Sequence, residues 1–519
     1  MLPIRLLLIK NRASKLRAIR KGYKILKERG DLRLLQKLRY QMSSQKIKNV
    51  TVFGFYGTDD CIEFSTRQFL ISKFINLSFN RAILYSIGAN KHFKRPLPRE
   101  WQNILECNGI KVNKPRSSLL WVIYSFYFWV VGCIKLIKSI ARIATMSNIP
   151  EGHVYFDSLS KGSISNNNSD KNIINWYFRW AGHSKNTSVI CHNNIDIHCK
   201  KSGKHNVLYT DGLPELRGEQ IWIYALYAFY LSFMNIFLLR IYGCFMLFEV
   251  IKHTRVRISD NNKMANDYLF NNSFAFLRPL WTYEIESKGG RILFYFYSTN
   301  NEPFQSKGNL KFETQWNLIR WPYYLVWDNF QAEFVKNFDD FGTSVVIEVV
   351  GSIDFSSSEA VPNIPLNSVA VFDVTPFRPA LYMTLGASPE YYTYSVANQF
   401  LSDIQLVLDE ENINIAHKMK RSHAFVDKRY QKKLEQLDKK RNYTEIYPDI
   451  DAIQVINKSI ACISMPFTST ALIAKLEGKP SVYYDPSGIV QKNDKAAHGI
   501  LVLSNIDELR EWVKSIGNE

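Results

Sequence analysis

Short apolar segments that end in polar loops recur along this chain, and stretches with helical periodicity separate them. Strands that alternate with helices are typical of parallel α/β sheets. Two runs of this pattern meet at a polar, glycine-containing segment near residues 285–290. The sequence therefore predicts an α/β fold with two Rossmann-like domains that face each other across a cleft. The predicted strands are Val50–Tyr56, His153–Asp157, Ser188–Cys191, Asn206–Tyr209, Arg291–Tyr297, Ser344–Val350, Ser368–Phe372, Asn412–His417, Ser459–Ser464 and Ser481–Tyr484.

Two long apolar segments interrupt this pattern. Leu119–Ile134 contains 16 residues without a charge, and Ile221–Leu239 contains 19, which is long enough to span a bilayer. Both are rich in Tyr, Trp and Phe, which favour the membrane interface. We interpret segments 119–145 and 221–252 as helices that are buried or half-sunk in one leaflet, with a spanning pair as the alternative.

Most of the charge lies at the N-terminus. Residues 1–50 carry fifteen Lys and Arg against two acidic residues, which supplies +13 of the net charge of +19. Leu16, Ile19, Tyr23 and Leu26 recur there at helical spacing. A basic amphipathic helix of this kind favours an anionic membrane surface over nucleic acid. The alternative is a solvated helix that packs on the body of the protein.

The cysteines and the first residues indicate a cytoplasmic protein. The seven cysteines are odd in number and scattered, as expected in a reducing compartment without a disulfide framework. The first residues lack a cleavage site of the signal-peptide type, so we expect a cytoplasmic location.

Residues 459–486 form the strongest local pattern. An apolar strand ends at Pro466, and Thr468, Ser469 and Thr470 then stand where helix-capping residues belong. Free amides at the start of a helix attract anions, and hydroxyl groups add hydrogen-bond donors. The pattern therefore predicts a phosphate site, although a capped βαβ unit without a ligand has the same appearance.

Two further strand ends supply polar residues. His417 ends one predicted strand, and Lys418, Lys420 and Arg421 follow it, where positive charge suits a phosphate. A solvated basic loop is the alternative reading. The strand Ser368–Phe372 is followed by further candidate ligands in the same cleft, namely Asp373, Thr375 and Arg378.

These segments carry a family resemblance. The stretches FDVTPFRP, HKMKR and SMPFTSTALIAKLEGKPSVYYDP, with VYFDSLS upstream, resemble bacterial surface-carbohydrate proteins that are named for a PFTS motif, which is Pro466, Phe467, Thr468 and Ser469 here. That family is tied to O-antigen and capsule synthesis. The layout is also similar to GT-B sialyltransferases and Kdo transferases, in which a His motif and a Ser/Thr pair hold CMP. His417 and Ser469–Thr470 match that order, but His417 precedes Lys418 rather than proline, which leaves CMP or UDP open.

The resemblance implies a GT-B glycosyltransferase with three parts. These are a basic arm at 1–48, an acceptor domain at 49–288 and a nucleotide-sugar donor domain at 289–519. The expected reaction is metal-independent and inverting, with the nucleotide sugar as substrate and no cofactor. It transfers a CMP-activated nonulosonate or Kdo-like sugar to a glycan or lipid-linked glycan at the cytoplasmic face of the inner membrane.

An inverting reaction needs a general base. The segment NVLYTDG resembles an acidic-Gly loop of bacterial sialyltransferases, which makes Asp211 the candidate base. A simple turn at Asp211–Gly212 is an equal alternative, and Asp59 and Asp60 are weaker candidates.

Two other patterns have more ordinary explanations. Asp449 and Asp451 have the spacing of a metal site, but they stand at a predicted helix start, where capping explains them better. Cys191, His192, His198 and Cys199 fit no common zinc spacing. The functional alternatives are a UDP-sugar epimerase of the same fold and a non-catalytic subunit docked on the membrane.

Overall fold

The computed structural model describes residues 2–55, 59–143, 151–159, 172–182, 189–197, 201–202, 205–272, 277–299, 316–337, 345–353, 362–378, 381–382, 391–420 and 426–516. The helices within these ranges are α1 (Leu2–Glu28), α2 (Leu34–Ser44), α3 (Asp59–Phe74), α4 (Leu77–Ala89), α5 (Arg99–Cys107), α6 (Lys114–Ile143), α7 (Ile173–Trp180), α8 (Glu219–Phe237), α9 (Ile241–Ile258), α10 (Trp281–Ser287), α11 (Asn329–Lys336), α12 (Tyr394–Glu410), α13 (Lys428–Leu437), α14 (Ala452–Asn457), α15 (Ser469–Leu476) and α16 (Ile506–Ile516). The strands are β1 (Val154–Phe156), β2 (Val189–His192), β3 (Lys201–Ser202), β4 (His205–Tyr209), β5 (Asp267–Asn271), β6 (Arg291–Tyr295), β7 (Tyr323–Val326), β8 (Val346–Val349), β9 (Ser368–Phe372), β10 (Asn414–Lys418), β11 (Tyr443–Ile446), β12 (Ala461–Ser464), β13 (Ser481–Tyr484) and β14 (Leu501–Leu503).

Eight of the described strands form the first sheet, in the order β3-β4-β2-β1-β5-β6-β7-β8. All neighbouring pairs are parallel except β3 and β4. The chain begins in the middle at β1, adds strands on one side, and returns to place β5 on the other side of β1. The winding direction therefore reverses between β1 and β5, and such a reversal opens a crevice at the carboxyl ends of the strands.

Six strands form the second sheet, in the order β11-β10-β9-β12-β13-β14. All its pairs are parallel. Numbered from β9, this is the strand order 3-2-1-4-5-6 of the Rossmann fold, and the reversal lies between β9 and β12. The predicted α/β fold class with two Rossmann-like domains is confirmed.

The predicted domain boundary after residue 288 is wrong. Strands β6, β7 and β8 all pair within the first sheet, so the first domain continues through Val349. The second sheet begins at Ser368. The glycine-containing segment near 285–290 is the turn from α10 into β6, within one β-α-β crossover, because a polar turn and a domain linker have similar composition.

One predicted strand is absent from the described part of its range. Residues 51–55 form no strand, because the side chain of Asn235 takes both backbone groups of Phe53. The Phe53 amide donates to Asn235 Oδ1 at 3.0 Å, and Asn235 Nδ2 donates to the Phe53 carbonyl at 3.0 Å. A side chain from α8 thus replaces a neighbouring strand.

The N-terminal arm is part of the folded body. Leu34, Leu38 and Met42 of α2 are buried in a helical core that also contains Trp101 of α5. Helix α1 packs on α4 where Gly22 faces Gly88, and a Cβ at Gly88 would lie 1.9 Å from the carbonyl oxygen of residue 18. The separate arm predicted at 1–48 is therefore corrected to two helices of the first domain.

The two long apolar helices lie side by side on α9. Both helices are long and apolar enough to cross a membrane. In the most apolar 18-residue stretch of each helix, 22% of α6 and 33% of α8 is buried in the protein. The buried positions of α6 follow one face along its entire length, so the helix packs lengthwise on the body. These positions are Ser117, Trp121, Ser125, Gly132, Leu136 and Ile143.

Candidate functional site

A cavity of about 300 Å³ opens between the two domains at the carboxyl ends of β9, β10 and β12. We call it the cleft cavity. It therefore lies at the winding reversal of the second sheet, where ligands bind in open α/β sheets. Its lining from the second domain includes Asp373, Lys418, Met419, Lys420, Asp451, Thr468, Ser469, Thr470, Ile473 and Glu477, and its lining from the first domain includes Tyr297, Ser298, Trp327, Ser352 and Ile353.

The amino terminus of α15 faces the cleft cavity. Thr468 occupies the N-cap position but does not cap the helix, because its hydroxyl donates to the Met465 carbonyl at 3.0 Å. Thr470 Oγ1 lies 3.0 Å from Thr468 Oγ1 and 2.8 Å from Ser464 Oγ. The first-turn amides and this chain of hydroxyls together can donate several hydrogen bonds to an anion.

The other residues of the PFTS motif hold the turn in place. The Pro466 carbonyl accepts a hydrogen bond from Tyr392 at 2.7 Å, and the Phe467 ring packs against Tyr483 at 5.2 Å between centroids. The Tyr483 hydroxyl donates to the Thr468 carbonyl at 2.7 Å. Pro466 and Phe467 are buried and do not line the cavity, so they position Thr468–Thr470 rather than contact a ligand.

Lysine side chains lie on the opposite wall. Lys420 follows β10, is exposed and lines the cavity. Lys418 is buried and donates to the Pro448 carbonyl at 3.0 Å. Burial lowers the pKa of Lys418, while Asp451 and Asp449 act in the opposite direction. The predicted ligand Arg421 lies outside the described residues.

His417 does not reach the cavity, which corrects its predicted role as a nucleotide ligand. Its side chain is 0% exposed because it points into the interior beneath β10. The His417 Nδ1 lies 2.7 Å from the Tyr443 hydroxyl, and Nε2 lies 3.4 Å from Asp373 Oδ2. The Tyr430 hydroxyl also donates to Asp373. These four residues form a buried polar network under the cavity floor.

Of the three remaining predicted ligands of this region, one lines the cavity and two do not. Asp373 reaches the cavity floor, but its Oδ2 is held by the buried network. Thr375 is buried and does not line the cavity. Arg378 is exposed, and its Nε lies 3.4 Å from the Val426 carbonyl, away from the cavity lining.

Sequence reasoning missed several residues of the cleft cavity. Tyr297 and Trp327 come from the first domain and supply aromatic surface, while Asp451 and Glu477 supply carboxylates that can accept from hydroxyl groups. Of these four residues, the sequence singles out only Asp451, whose spacing from Asp449 is that of a metal site. Within the described ranges there is no group of three or more metal-ligating side chains.

Asp211 has a structural partner. Its carboxylate pairs with Arg255 at 2.9 Å and also accepts from the Leu213 amide at 3.1 Å. Arg255 is 1% exposed, so Asp211 is the counterion of a buried guanidinium. The next residue, Gly212, has φ +76°, and a Cβ there would lie 2.5 Å from the Tyr155 ring. Asp211 lines neither the cleft cavity nor the second cavity described next, so the turn interpretation fits better.

A second cavity of about 230 Å³ lies at the winding reversal of the first sheet. Asp157, which directly follows β1, lines this second cavity and is partly exposed. Its Oδ1 accepts from Asn193 at 2.6 Å and from Tyr155 at 3.2 Å, and its Oδ2 accepts from Ser158 at 3.0 Å. Burial raises the pKa of the Asp157 carboxyl, although the hydrogen bonds from Ser158, Tyr155 and Asn193 act in the opposite direction. A carboxylate of raised pKa is a stronger base.

The two cavities are neighbours along one sheet edge. Asp157 follows β1, and the cleft residues Tyr297 and Ser298 follow β6, two strands away. Two strand spacings are about 10 Å. Asn271 Nδ2 bridges the gap, since it lies 3.4 Å from the Asp157 carbonyl and 3.2 Å from the Tyr295 hydroxyl. A ligand that bridges both cavities would therefore remain of small-molecule size.

Two sheets of Rossmann winding, with a cleft between them that is lined by lysine and hydroxyl side chains, define a two-domain α/β protein. Residues 229–513 match the family described as polysaccharide biosynthesis PFTS motif protein. This match covers more than half of the chain, and the chain belongs to that family. The resemblance inferred from the motif is confirmed. Comparison with curated proteins gives no significant match.

Solved structures give distant matches. The wall teichoic acid polymerase TagF is 9% identical, with a TM-score of 0.38 over 76% of this chain and 90% of that chain. The UDP-GlcNAc 2-epimerase of Methanocaldococcus jannaschii, in complex with UDP-GlcNAc and UDP, is 9% identical, with a TM-score of 0.35 over 71% and 92%. A putative UDP-N-acetylglucosamine 2-epimerase from Listeria monocytogenes is 10% identical, with a TM-score of 0.37 over 72% and 89%.

Proposed function

We propose that the protein is a glycosyltransferase of bacterial surface-polysaccharide synthesis, which binds a nucleotide-sugar donor in the cleft cavity. The observation that carries this proposal is that Lys420 and the start of α15 line one cavity from opposite sides of β9. Cations and free amides that converge in this way suit a phosphate. Membership of a polysaccharide biosynthesis family supports the same class of substrate.

The donor we favour is a CMP-activated acidic sugar, such as a nonulosonate or a Kdo-like sugar. Two separate positions in the cleft cavity suit an anion, one at the start of α15 and one at Lys420. A CMP-linked acidic sugar carries one phosphate and one carboxylate, so it can use both positions. A UDP-sugar would place two phosphates there instead, and a comparison of the two nucleotides decides between them.

The cleft cavity can stabilise the leaving group without a metal. Negative charge gathers on the donor phosphate as its bond to the sugar breaks. Fixed amides of Ser469 and Thr470 and the ammonium of Lys420 lie where they can hold that charge. Such preorganised donors are effective because they need no rearrangement during the reaction.

Asp157 replaces Asp211 as the proposed general base. The carboxylate of Asp157 takes the proton of the acceptor hydroxyl while the acceptor oxygen bonds to the anomeric carbon. The bond from that carbon to the phosphate oxygen breaks, and its electron pair stays on the phosphate. The products are a glycoside of inverted configuration and the free nucleotide, and the proton then leaves Asp157 for solvent. The position of Asp157 in the second cavity, next to the cleft, supports this role.

We further propose that the protein lies on the cytoplasmic face of the inner membrane without crossing it. The outer faces of α6 and α8 expose large apolar side chains, including Trp222 at 73%, Leu226 at 71% and Leu119 at 61%. Basic residues Lys114, Arg116 and Lys138 stand exposed on α6. Apolar side chains flanked by cations suit one leaflet of an anionic membrane.

Nucleotide binding tests the donor site. We expect Lys420→Ala to weaken binding of the preferred nucleotide by about 1–3 kcal/mol, the range of a charge-assisted hydrogen bond. Calorimetric titration of the full chain with CMP and with UDP measures the change. The matched control is Lys439→Ala, because Lys439 is exposed after α13 and lines neither cavity.

Three results would contradict the proposal. Equal affinity of the Lys420→Ala variant and the parent chain would place the nucleotide elsewhere. No binding of either nucleotide would favour a non-catalytic subunit. Inversion of a free UDP-sugar in the absence of an acceptor would favour an epimerase.

A further inference from the structure

Three lysines gather between the second cavity and the apolar outer face of α6. Lys73 and Lys252 line the cavity, and Lys135 projects from α6 beside them. The Nζ atoms of Lys135 and Lys252 lie 4.0 Å and 4.4 Å from the centroid of the same Phe248 ring. Burial, followed by repulsion from Lys252 and Lys73, lowers the pKa of Lys135. The three ammonium groups are therefore close enough to repel one another.

The acidic groups that face this cluster neutralise it only in part. Glu249 lies 3.3 Å from the Lys252 ammonium, and its other oxygen accepts from the Leu280 amide at 3.4 Å. Asp157 lines the same cavity, and its carboxylate accepts hydrogen bonds from neighbouring residues such as Asn193. The third cation that lines the cavity, Arg278, is paired with Glu286. Three lysines thus face two carboxylates, and an anionic ligand would relieve the excess of positive charge.

The cluster borders an apolar surface. Lys73 Nζ lies 5.1 Å from the centroid of Phe69, and that ring packs against Phe128 of α6 at 6.3 Å. On the outer side of α6, Tyr127, Val130, Ile134 and Ile137 are exposed and follow helical spacing. A ligand with its anion on the lysines could therefore lay an apolar chain along this face.

We propose that the acceptor is a lipid-linked phosphate or diphosphate, with its phosphate on Lys73, Lys135 and Lys252, its lipid along the outer face of α6, and its sugar hydroxyl at Asp157. This assignment rests on the proposed glycosyltransferase function, and it gives the second cavity its ligand. The order of the parts is fixed by position, because the lysines lie between the carboxylate and the apolar face. A free glycan would leave both the lysines and the apolar face without a role.

Farnesyl diphosphate is a short probe for this site. We expect the full chain, in the absence of donor, to bind farnesyl diphosphate at least tenfold more tightly than either inorganic diphosphate or farnesol. The variant Lys135→Ala/Lys252→Ala should lose at least tenfold in that affinity, and Lys138→Ala should not. Lys138 is a matched control: it is also an exposed lysine and lies three residues further along the same helix, whereas the Lys135 ammonium lies 4.0 Å from the Phe248 ring that Lys252 also contacts.

Each other outcome overturns the assignment. Equal binding of inorganic diphosphate would indicate a site for free anions, and equal binding of farnesol would indicate an apolar site only. If phosphatidylglycerol vesicles alone lose affinity for the double variant while farnesyl diphosphate does not, the lysines bind membrane headgroups. Affinity for CMP and UDP, measured on the same variants, separates this result from a failure of the donor site, because that site lies in the cleft cavity.

Discussion

At the scale of single residues, the molecule separates side chains that line the cleft cavity from buried side chains that lie beneath its floor. Lys420 and Thr470 face the cleft cavity, whereas His417, next to Lys418 in the chain, lies in the buried network with Asp373. Alternation along β10 explains this difference, because successive side chains of a strand point to opposite faces. The sequence placed these residues at the ends of three predicted strands but did not specify the faces to which they point.

The buried network should act on stability rather than on binding. We expect Tyr430→Phe to lower the free energy of unfolding by about 1–3 kcal/mol, because the Asp373 carboxylate loses a buried donor. Urea denaturation measures this loss. The affinity for nucleotide should change less than it does in Lys420→Ala, and a larger change would place the network in direct contact with the ligand.

Asp211 and Asp157 can be told apart by urea denaturation together with an assay of sugar transfer. We expect Asp211→Asn to destabilise the fold by about 3 kcal/mol, the low end for a broken buried pair, because the Asp211 side chain is 27% exposed. Asp157→Asn should instead abolish transfer while the protein remains folded. Loss of transfer in Asp211→Asn without loss of stability would reverse the two assignments.

The rate of transfer should depend on the ionisation of Asp157. The base acts only when ionised, and burial raises its pKa, so the rate should fall on acidification at a pH above the ordinary carboxyl range of about 4. The Ser158 hydroxyl stabilises the ionised form, so Ser158→Ala should move this acid limb to higher pH. A pH profile of kcat/KM measures the shift, and Ser515→Ala is the exposed control. An unchanged limb in Ser158→Ala would argue against Asp157 as the base.

At the scale of elements, apolar periodicity predicts most of the strands but not the domain to which each strand belongs. β9 and β13 match their predicted bounds, because each is a short, mostly buried run between polar turns. β5 escaped prediction because its ends, Asp267 and Asn271, are polar yet buried: Asp267 pairs with Arg291 at 2.6 Å. Composition also favoured a membrane-bound arm, whereas tertiary packing makes α2 part of the core.

The role of α2 can be measured directly. We expect Leu38→Ala to cost about 2–5 kcal/mol of folding stability, because the Leu38 side chain is 0% exposed. Leu16→Ala in α1 is the matched control, and its cost should stay within about 0.5 kcal/mol, because that leucine is 49% exposed. Equal stability of the two variants would mean that α2 is a detachable arm after all.

At the scale of the whole molecule, each sheet reverses its winding at the edge that faces the cleft. Both cavities lie at these reversals, so the fold itself places a site in each domain. Contacts across the cleft keep them aligned: the Thr299 amide donates to Ser469 at 3.3 Å, and His498 lies 2.7 Å from Asp328. Sequence alone could not predict this alignment, because it depends on contacts between residues about 170 positions apart.

Membrane association is the prediction that belongs to this scale. We expect Leu226→Asn/Phe233→Asn to reduce binding to phosphatidylglycerol vesicles at least tenfold. Both side chains are exposed on α8, and the substitutions remove apolar surface that would otherwise be buried in the bilayer. Cosedimentation measures binding, and added salt should weaken it further. Leu366→Asn is the control, because Leu366 lies in the second domain and is 91% exposed. Undiminished binding of the double variant would exclude this face as the anchor.

The exposed apolar face of α6 and α8 also governs how the molecule behaves in plain buffer. Without lipid or detergent, these side chains can be removed from water by packing against a second copy of the chain. We therefore expect purified protein to sediment as oligomers that dissociate when amphiphile is added. Solubility during purification would then report on the same surface that we propose to lie on the membrane.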